Sequence, residues 1–132
     1  MTTSTLELRR DGPVARVFLN RPEVRNAFND AVIAELQAAF TLLAQDDTLR
    51  VIVLGGHGKA FCAGADLSWM RAMADYDGDQ NRADAAQLAD MLWAIYSCPI
   101  PVVGRIQGDC YAGGVGLAAV CDVLVAVDSA HF

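Results

Sequence analysis

Positive charge is scarce in this chain, and lysine is almost missing. Lys59 is the single lysine, and ten basic side chains in all stand against sixteen acidic ones, a net −6. Such a balance argues against a nucleic-acid footprint, which needs a basic face. A few placed arginines and backbone N–H groups can still hold a small anion. Histidine occurs twice, as His57 and His131, and the four cysteines, Cys62, Cys98, Cys110 and Cys121, form no CxxC pair. Neither a disulfide framework nor a metal site follows from that spacing, so the cysteines read as buried thiols in a reducing cytoplasm. Long apolar runs are lacking too. The stretch from Leu117 to Val127 is broken by Asp122 and falls short of the roughly 20 residues a membrane span requires. The first twelve residues carry no hydrophobic signal core and no amphipathic Arg/Ser-rich address, so a cytoplasmic protein is expected. Glutamate stops early: none follows Glu35.

What is present is apolar content, 54% of 132 residues. That is enough to fill one core, and it points to a single domain over residues 1–132 and away from disorder. The segment Thr5–Arg9 alternates weakly, and Asp11-Gly12-Pro13 reads as a turn into the β-rich run Val14 to Leu19, an adjacent strand pair. Asn29 or Asp30 can cap a helix whose stripe is Val32, Ile33, Leu36, Phe40 and Leu43. Val51 to Leu54 is a continuous apolar run suited to a strand buried on both faces. A short helix is expected near Asp66, and a polar stretch, Asp75 to Asn81, separates it from a second. That second helix carries Leu88, Met91, Leu92 and Ile95 and stops before Pro99. A strand follows Pro101 and ends near Ile106. Gly113-Gly114 leads into a helix over Val115 to Val120, and Asp122 to Val127 forms a last strand. Alternation of this kind implies an α/β fold with mainly parallel pairing.

One unit occurs twice, at residues 51–70 and 102–120: a strand, a turn of small residues, then a helix. A helix start presents unpaired N–H groups and the positive end of its dipole. Two such starts facing one cavity can grip a developing negative oxygen from both sides, and small residues permit the close approach. Tight helix–strand packing accounts for the same residues, and composition does not separate the two readings.

Three motifs carry a resemblance. They are Leu19-Asn20-Arg21-Pro22-Glu23-Val24-Arg25-Asn26-Ala27, Ala60-Phe61-Cys62-Ala63-Gly64-Ala65-Asp66-Leu67 and Gly108-Asp109-Cys110-Tyr111-Ala112-Gly113-Gly114-Val115-Gly116-Leu117. In this order the chain resembles the crotonase (enoyl-CoA hydratase/isomerase) superfamily, specifically the N-terminal part of its ββα spiral core. The wording around Ile106–Asp122 is most similar to the bacterial branch that hydrates methylglutaconyl-CoA-type substrates in leucine and acyclic-terpene breakdown. The resemblance implies an oxyanion hole made by the N–H groups of Ala65 and Gly113. It also implies a coenzyme A-binding loop with Ala63, Asp66 and Leu67, and substrate contacts at Gly114 and Gly116. Arg25 falls where relatives carry a base near a CoA phosphate, and a solvated surface arginine fits it equally. Trp69, Met70 and Met73 either line the acyl pocket or belong to ordinary core. No metal or separate cofactor is expected, coenzyme A being part of the substrate. A homotrimer or hexamer is expected for the complete protein.

One departure stands out. Two-glutamate hydratases place an acid three residues after the second oxyanion glycine, and here that position is Gly116. The resemblance therefore puts the general acid/base group, and the C-terminal part of the fold, beyond Phe132. Asp109 is read first as a loop residue and second as a catalytic one; His57 and His131 are read as surface or loop histidines, and Asp122 as a local cap. Hydration of an α,β-unsaturated, branched or carboxylated acyl-CoA is the leading expectation. Isomerisation of a Δ3 double bond and non-catalytic acyl-CoA binding are the alternatives. This segment by itself is expected to aggregate or oligomerise through uncovered edges.

Overall fold

The computed structural model describes residues 5–132. Residues 1–4, the start of the segment read above for a targeting signal, lie outside that range.

The chain opens with an antiparallel pair, β1 (Leu6–Asp11) and β2 (Val14–Leu19), turned at Gly12 with φ +58°. A short 3-10 turn, Pro22–Val24, leads to α1 (Asp30–Leu43). Asn29 caps α1 by accepting from the Val32 N–H at 3.1 Å, and the buried stripe is Val32, Ile33, Leu36, Ala39 and Phe40. Next come β3 (Val51–Gly56), β4 (Ala60–Cys62), α2 (Leu67–Met73) and α3 (Gly78–Tyr96). The chain continues with β5 (Val102–Ile106), β6 (Asp109–Cys110), α4 (Gly113–Ala119) and β7 (Val123–Ala126). No helix among the described residues is long and apolar enough to cross a membrane.

The main sheet runs β1-β2-β3-β5-β7, parallel throughout except for the first pair, and β4 and β6 form a small parallel sheet of their own. The repeated unit is therefore richer than strand–turn–helix. Each copy places a strand in the large sheet, a short strand in the small one, and then a helix. β4 and β6 were not foreseen, because segments of three and two residues are too short to show an alternation.

Three other differences concern boundaries and burial. α3 begins at Gly78, inside the stretch read as a polar separator, because Asp77 and Gln80 form a reciprocal capping box there. α4 begins at Gly113, two residues before the expected start. On β3, Ile52 and Leu54 are buried while Val51 and Val53 are half-buried. Their partners on β2 are Val14 and Arg16, themselves only half-covered, so one sheet face is sealed and the other partly open.

All four thiols are free. Cys62 and Cys110 are buried as expected, whereas Cys98 and Cys121 are only partly covered. Desolvation pushes Cys62 and Cys110 up to about 11 and Cys121 up to about 12. Those thiols stay protonated and unreactive at neutral pH.

Candidate active site

The small sheet brings the two glycine-rich loops together. Its register pairs Cys62 with Cys110, and Ala65 and Gly113 each lie three residues further along their chains. Two equal steps from neighbouring parallel strands deliver them to the same end of the molecule. The loops are in contact: a Cβ on Gly64 would lie 3.0 Å from the Ala112 Cβ and 3.2 Å from the Gly113 nitrogen. Gly64, at φ +94°, avoids that clash by having no side chain. Ala112 takes φ +48°, a strained conformation held by the hydrogen bonds Gly114 N to Tyr111 O and Val115 N to Ala112 O, 2.8 and 3.0 Å.

Phe28 backs both loops. Its N–H donates to the Gly64 carbonyl at 2.8 Å and its own carbonyl accepts from the Asp66 N–H at 2.8 Å, so the Ala65 peptide is fixed on both sides. That bridge leaves the Ala65 N–H turned away from Phe28. Neither it nor the Gly113 N–H donates to a protein acceptor among the described residues. The Phe28 ring lies under Gly113, where an added Cβ would come within 2.5 Å of the ring tip. No part of the residues quoted for the resemblance marked Phe28; the bridge became visible only with the backbone.

Arg21 and Asn26 tie this corner to the sheet. The buried Asn26 accepts from the Arg21 N–H at 2.9 Å and donates to the carbonyls of His57 and Ala60 at 2.8 and 3.0 Å. Arg21 bonds the Ala27 carbonyl at 2.5 Å and the Asp66 carboxylate at 3.1 Å. Asp66 also caps α2, accepting from the Trp69 N–H at 3.0 Å. That cap bond first, and Arg21 second, hold its carboxyl below the ordinary 3.8. The cap occupies the start of α2, so Ala65 offers its N–H from an extended segment and not, as expected, from a helix start.

Two cavities meet here. One of about 770 Å³ is lined by Phe28, Ala65, Trp69, Met70, Met73, Gly113 and residues of α3. The other, about 540 Å³, is lined by Glu23, Arg25, Asp66, Ser68 and neighbours, and shares Ala63, Ala65 and Leu67 with the first. The structure thus brings Ala63, Ala65, Leu67 and Gly113 to one opening, with Arg25 and Asp66 on its second arm. Arg25 makes no salt bridge or hydrogen bond through its side chain among the described residues. Gly114 and Gly116 are not in either lining. Gly114 is buried against Cys62, where a Cβ would meet the carbonyl oxygen at 2.5 Å, and the space around Gly116 is open. Gly114 is thus a packing residue, and Gly116 faces outward from α4. A separate depression between α1 and α3 shares no residue with this site.

The remaining candidates serve the scaffold. Asp109 accepts from the His131 N–H at 2.9 Å and from the Tyr111 hydroxyl at 2.9 Å, and these bonds, His131 foremost, lower its carboxyl. His131 Nδ1 lies 3.1 Å from the same carboxylate, and His57 Nε2 lies 3.2 Å from Glu7, so each histidine has an acidic partner that its sequence position did not reveal. Asp122 accepts from the Val102 N–H at 2.8 Å, the local backbone role expected of it. Among the described residues, no group of three or more His, Cys, Asp or Glu is placed to hold a metal ion.

A parallel-stranded spiral with two glycine loops meeting at one opening is the architecture of crotonase-type enzymes. The sequence model of the enoyl-CoA hydratase/isomerase family matches residues 9–132, and the chain belongs to that family. It is 38% identical over 120 residues to a candidate enoyl-CoA hydratase of Thermus thermophilus, covering 91% of this chain and 47% of that protein. It is 37% identical over 127 residues to the mitochondrial Δ3,5-Δ2,4-dienoyl-CoA isomerase of Mus musculus, covering 90% and 39%. Among solved structures it superposes on a crotonase of Legionella pneumophila, itself a candidate enoyl-CoA hydratase/isomerase, with a TM-score of 0.93. There the identity is 36%, over 98% of this chain and 50% of that one. For an enoyl-CoA hydratase of Mycobacterium smegmatis the TM-score is 0.91 at 40% identity, over 97% and 49%. The chain spans about half the length of these relatives or less.

Proposed function

We propose that this chain holds an acyl-CoA thioester with its carbonyl oxygen between the N–H groups of Ala65 and Gly113. When the α-carbon carries charge, the oxygen becomes enolate-like, and two fixed donors lower the barrier; losing one typically costs about 2.7–4 kcal/mol. The observation carrying this reading is the equal step from the paired Cys62 and Cys110 to two backbone N–H groups that bond no acceptor among the described residues. The acyl chain enters the larger cavity, against Trp69, Met70 and Met73, and the coenzyme A portion runs past Ala63, Leu67 and Arg25, whose charge suits a phosphate.

The reaction of the whole protein is read as addition of water to an α,β-unsaturated acyl-CoA, in a cytoplasmic trimer or hexamer with no further cofactor. Of the branched and carboxylated acyl groups suggested by the sequence, the lining favours the branched one. Among the described residues its one charged side chain is Asp84, which repels a carboxylate. Water addition also needs a positioned acid/base group. With Gly116 in the place of the first glutamate, we assign that group to the portion of the family fold that these 132 residues do not span. The same glycine favours a second reading, double-bond isomerisation by one carboxylate, and the similarity to the mouse isomerase accords with it. Incubation with conjugated and unconjugated enoyl-CoA esters, followed by mass spectrometry, separates the readings. Hydration adds the mass of one water, isomerisation leaves mass unchanged but alters the conjugated absorbance, and a protein that binds thioester and does neither is a binder.

A further inference from the structure

Phe28 stands at the entry to α1, 2% exposed, and touches both glycine loops in different ways. Its main chain pairs with Ala65 in an isolated parallel bridge. Its ring lies against the other loop: a Cβ on Gly113 would be 2.5, 3.0 and 3.7 Å from three atoms at the ring tip. Phe28 is itself held on both sides, since Arg21 bonds the Ala27 carbonyl and Asn29 caps α1. α4, by contrast, starts without a side-chain cap. The direction of the Gly113 N–H therefore depends on the turn at Ala112 and on what packs beneath the glycine.

We infer that Phe28 is a positioning residue that fixes the two N–H donors relative to each other, Ala65 through its backbone and Gly113 through its ring. The inference rests on the thioester reading above and adds the group that holds its geometry. A hydrogen bond weakens steeply as its angle opens, so two donors on separate loops grip one oxygen only while the loops keep their spacing. In a close-packed interior a stiff ring transmits position. With the ring withdrawn, the Gly113 peptide is free to turn into the gap and away from the point that Ala65 faces.

The ring also lines the larger cavity, so the test must separate alignment of the donors from contact with the acyl chain. The measurement is the ratio of affinities for butyryl-CoA and its thioether analogue, which lacks the carbonyl. Acyl contact enters both affinities alike, and so does partial unfolding; the ratio reports the two N–H groups. Calorimetric titration of the native protein is expected to give a ratio of about ten, the effect of two hydrogen bonds to a neutral oxygen. Phe28→Val, which pulls back from Gly113, is expected to lower it to about two. Gly113→Ala drives its methyl against the ring and is expected to lower the ratio similarly. Phe28→Leu combined with Gly113→Ala is expected to restore it, because the shorter side chain leaves the room the methyl needs. That comparison stands even where Phe28→Val fails to fold. A ratio unchanged in Phe28→Val, or a double variant no better than Gly113→Ala alone, overturns the role of Phe28 and leaves the thioester reading intact. A native ratio near one overturns both.

Discussion

Gly113 and Gly116 are three residues apart on one helix, and the structure gives them opposite tolerances. The Phe28 ring, buried in the core, occupies the place of a Gly113 Cβ. Alanine at Gly113 is therefore not mild, although the donor there is a main-chain group. Gly113→Ala is expected to cost about 1–3 kcal/mol of stability through overpacking. By moving the donor it should lower turnover about a hundredfold. Gly116→Ala meets nothing within 4 Å and is expected to stabilise the fold by about 0.5–1 kcal/mol through helix propensity. Chemical denaturation of the two variants alongside the native protein checks both signs. Asn26 presents the third residue-level case. Asn26→Ala strands the part-buried His57 and the buried Ala60 carbonyl bonds, with Gln107 still bonding the latter at 2.9 Å. A loss of about 2–4 kcal/mol in the same measurement is expected. Asn26 belongs to a motif that was read for its resemblance, but its buried network depends on carbonyls more than thirty positions away, which no local pattern reveals.

α2 depends on a single cap. Asp66→Ala removes both the Trp69 bond and the Arg21 pair, and is expected to cost about 1–2 kcal/mol near neutral pH. The pH dependence has a definite sign. The native carboxyl titrates below its unfolded value of 3.8, so its contribution is complete above that value and fades as pH falls through the lower native one. The stability gap between native protein and Asp66→Ala should therefore be wider at about pH 7 than at about pH 3, as urea melts at the two pH values would show. Equal gaps at both would mean that the charge is not what the cap uses. The longer elements were legible because their patterns are long: α1 shows its stripe and its Asn29 cap, and β3 shows an unbroken apolar run. The pair β4–β6 was not, since its stability comes from a partner nearly fifty residues distant. That pairing is what aligns the loops. The sequence made Ala65 and Gly113 recognisable as candidates, while the register that places them side by side, and Phe28 behind them, came from tertiary structure.

Across the molecule, the main sheet ends in β7, all four of whose residues are exposed. Val123, Leu124, Val125 and Val127 are exposed along this edge, Phe132 is exposed as well, and Trp93 and Tyr96 are exposed at the end of α3. Such an edge invites pairing with another chain. The 132-residue chain is expected to sediment as an associated species, and Val125→Lys to shift it toward monomer. A native chain sedimenting cleanly as a monomer would show that this edge needs no cover. The architecture that leaves the edge open is also the one that brings two distant loops to a common opening, and the functional reading follows from that convergence. Its most direct test is an amide nitrogen–proton NMR titration with butyryl-CoA and, in parallel, its thioether analogue lacking the carbonyl. The resonances of Ala65 and Gly113 are predicted to move together with the thioester and to stay nearly still with the thioether. Movement of neither, or of both equally with the two ligands, would contradict an oxygen held between them.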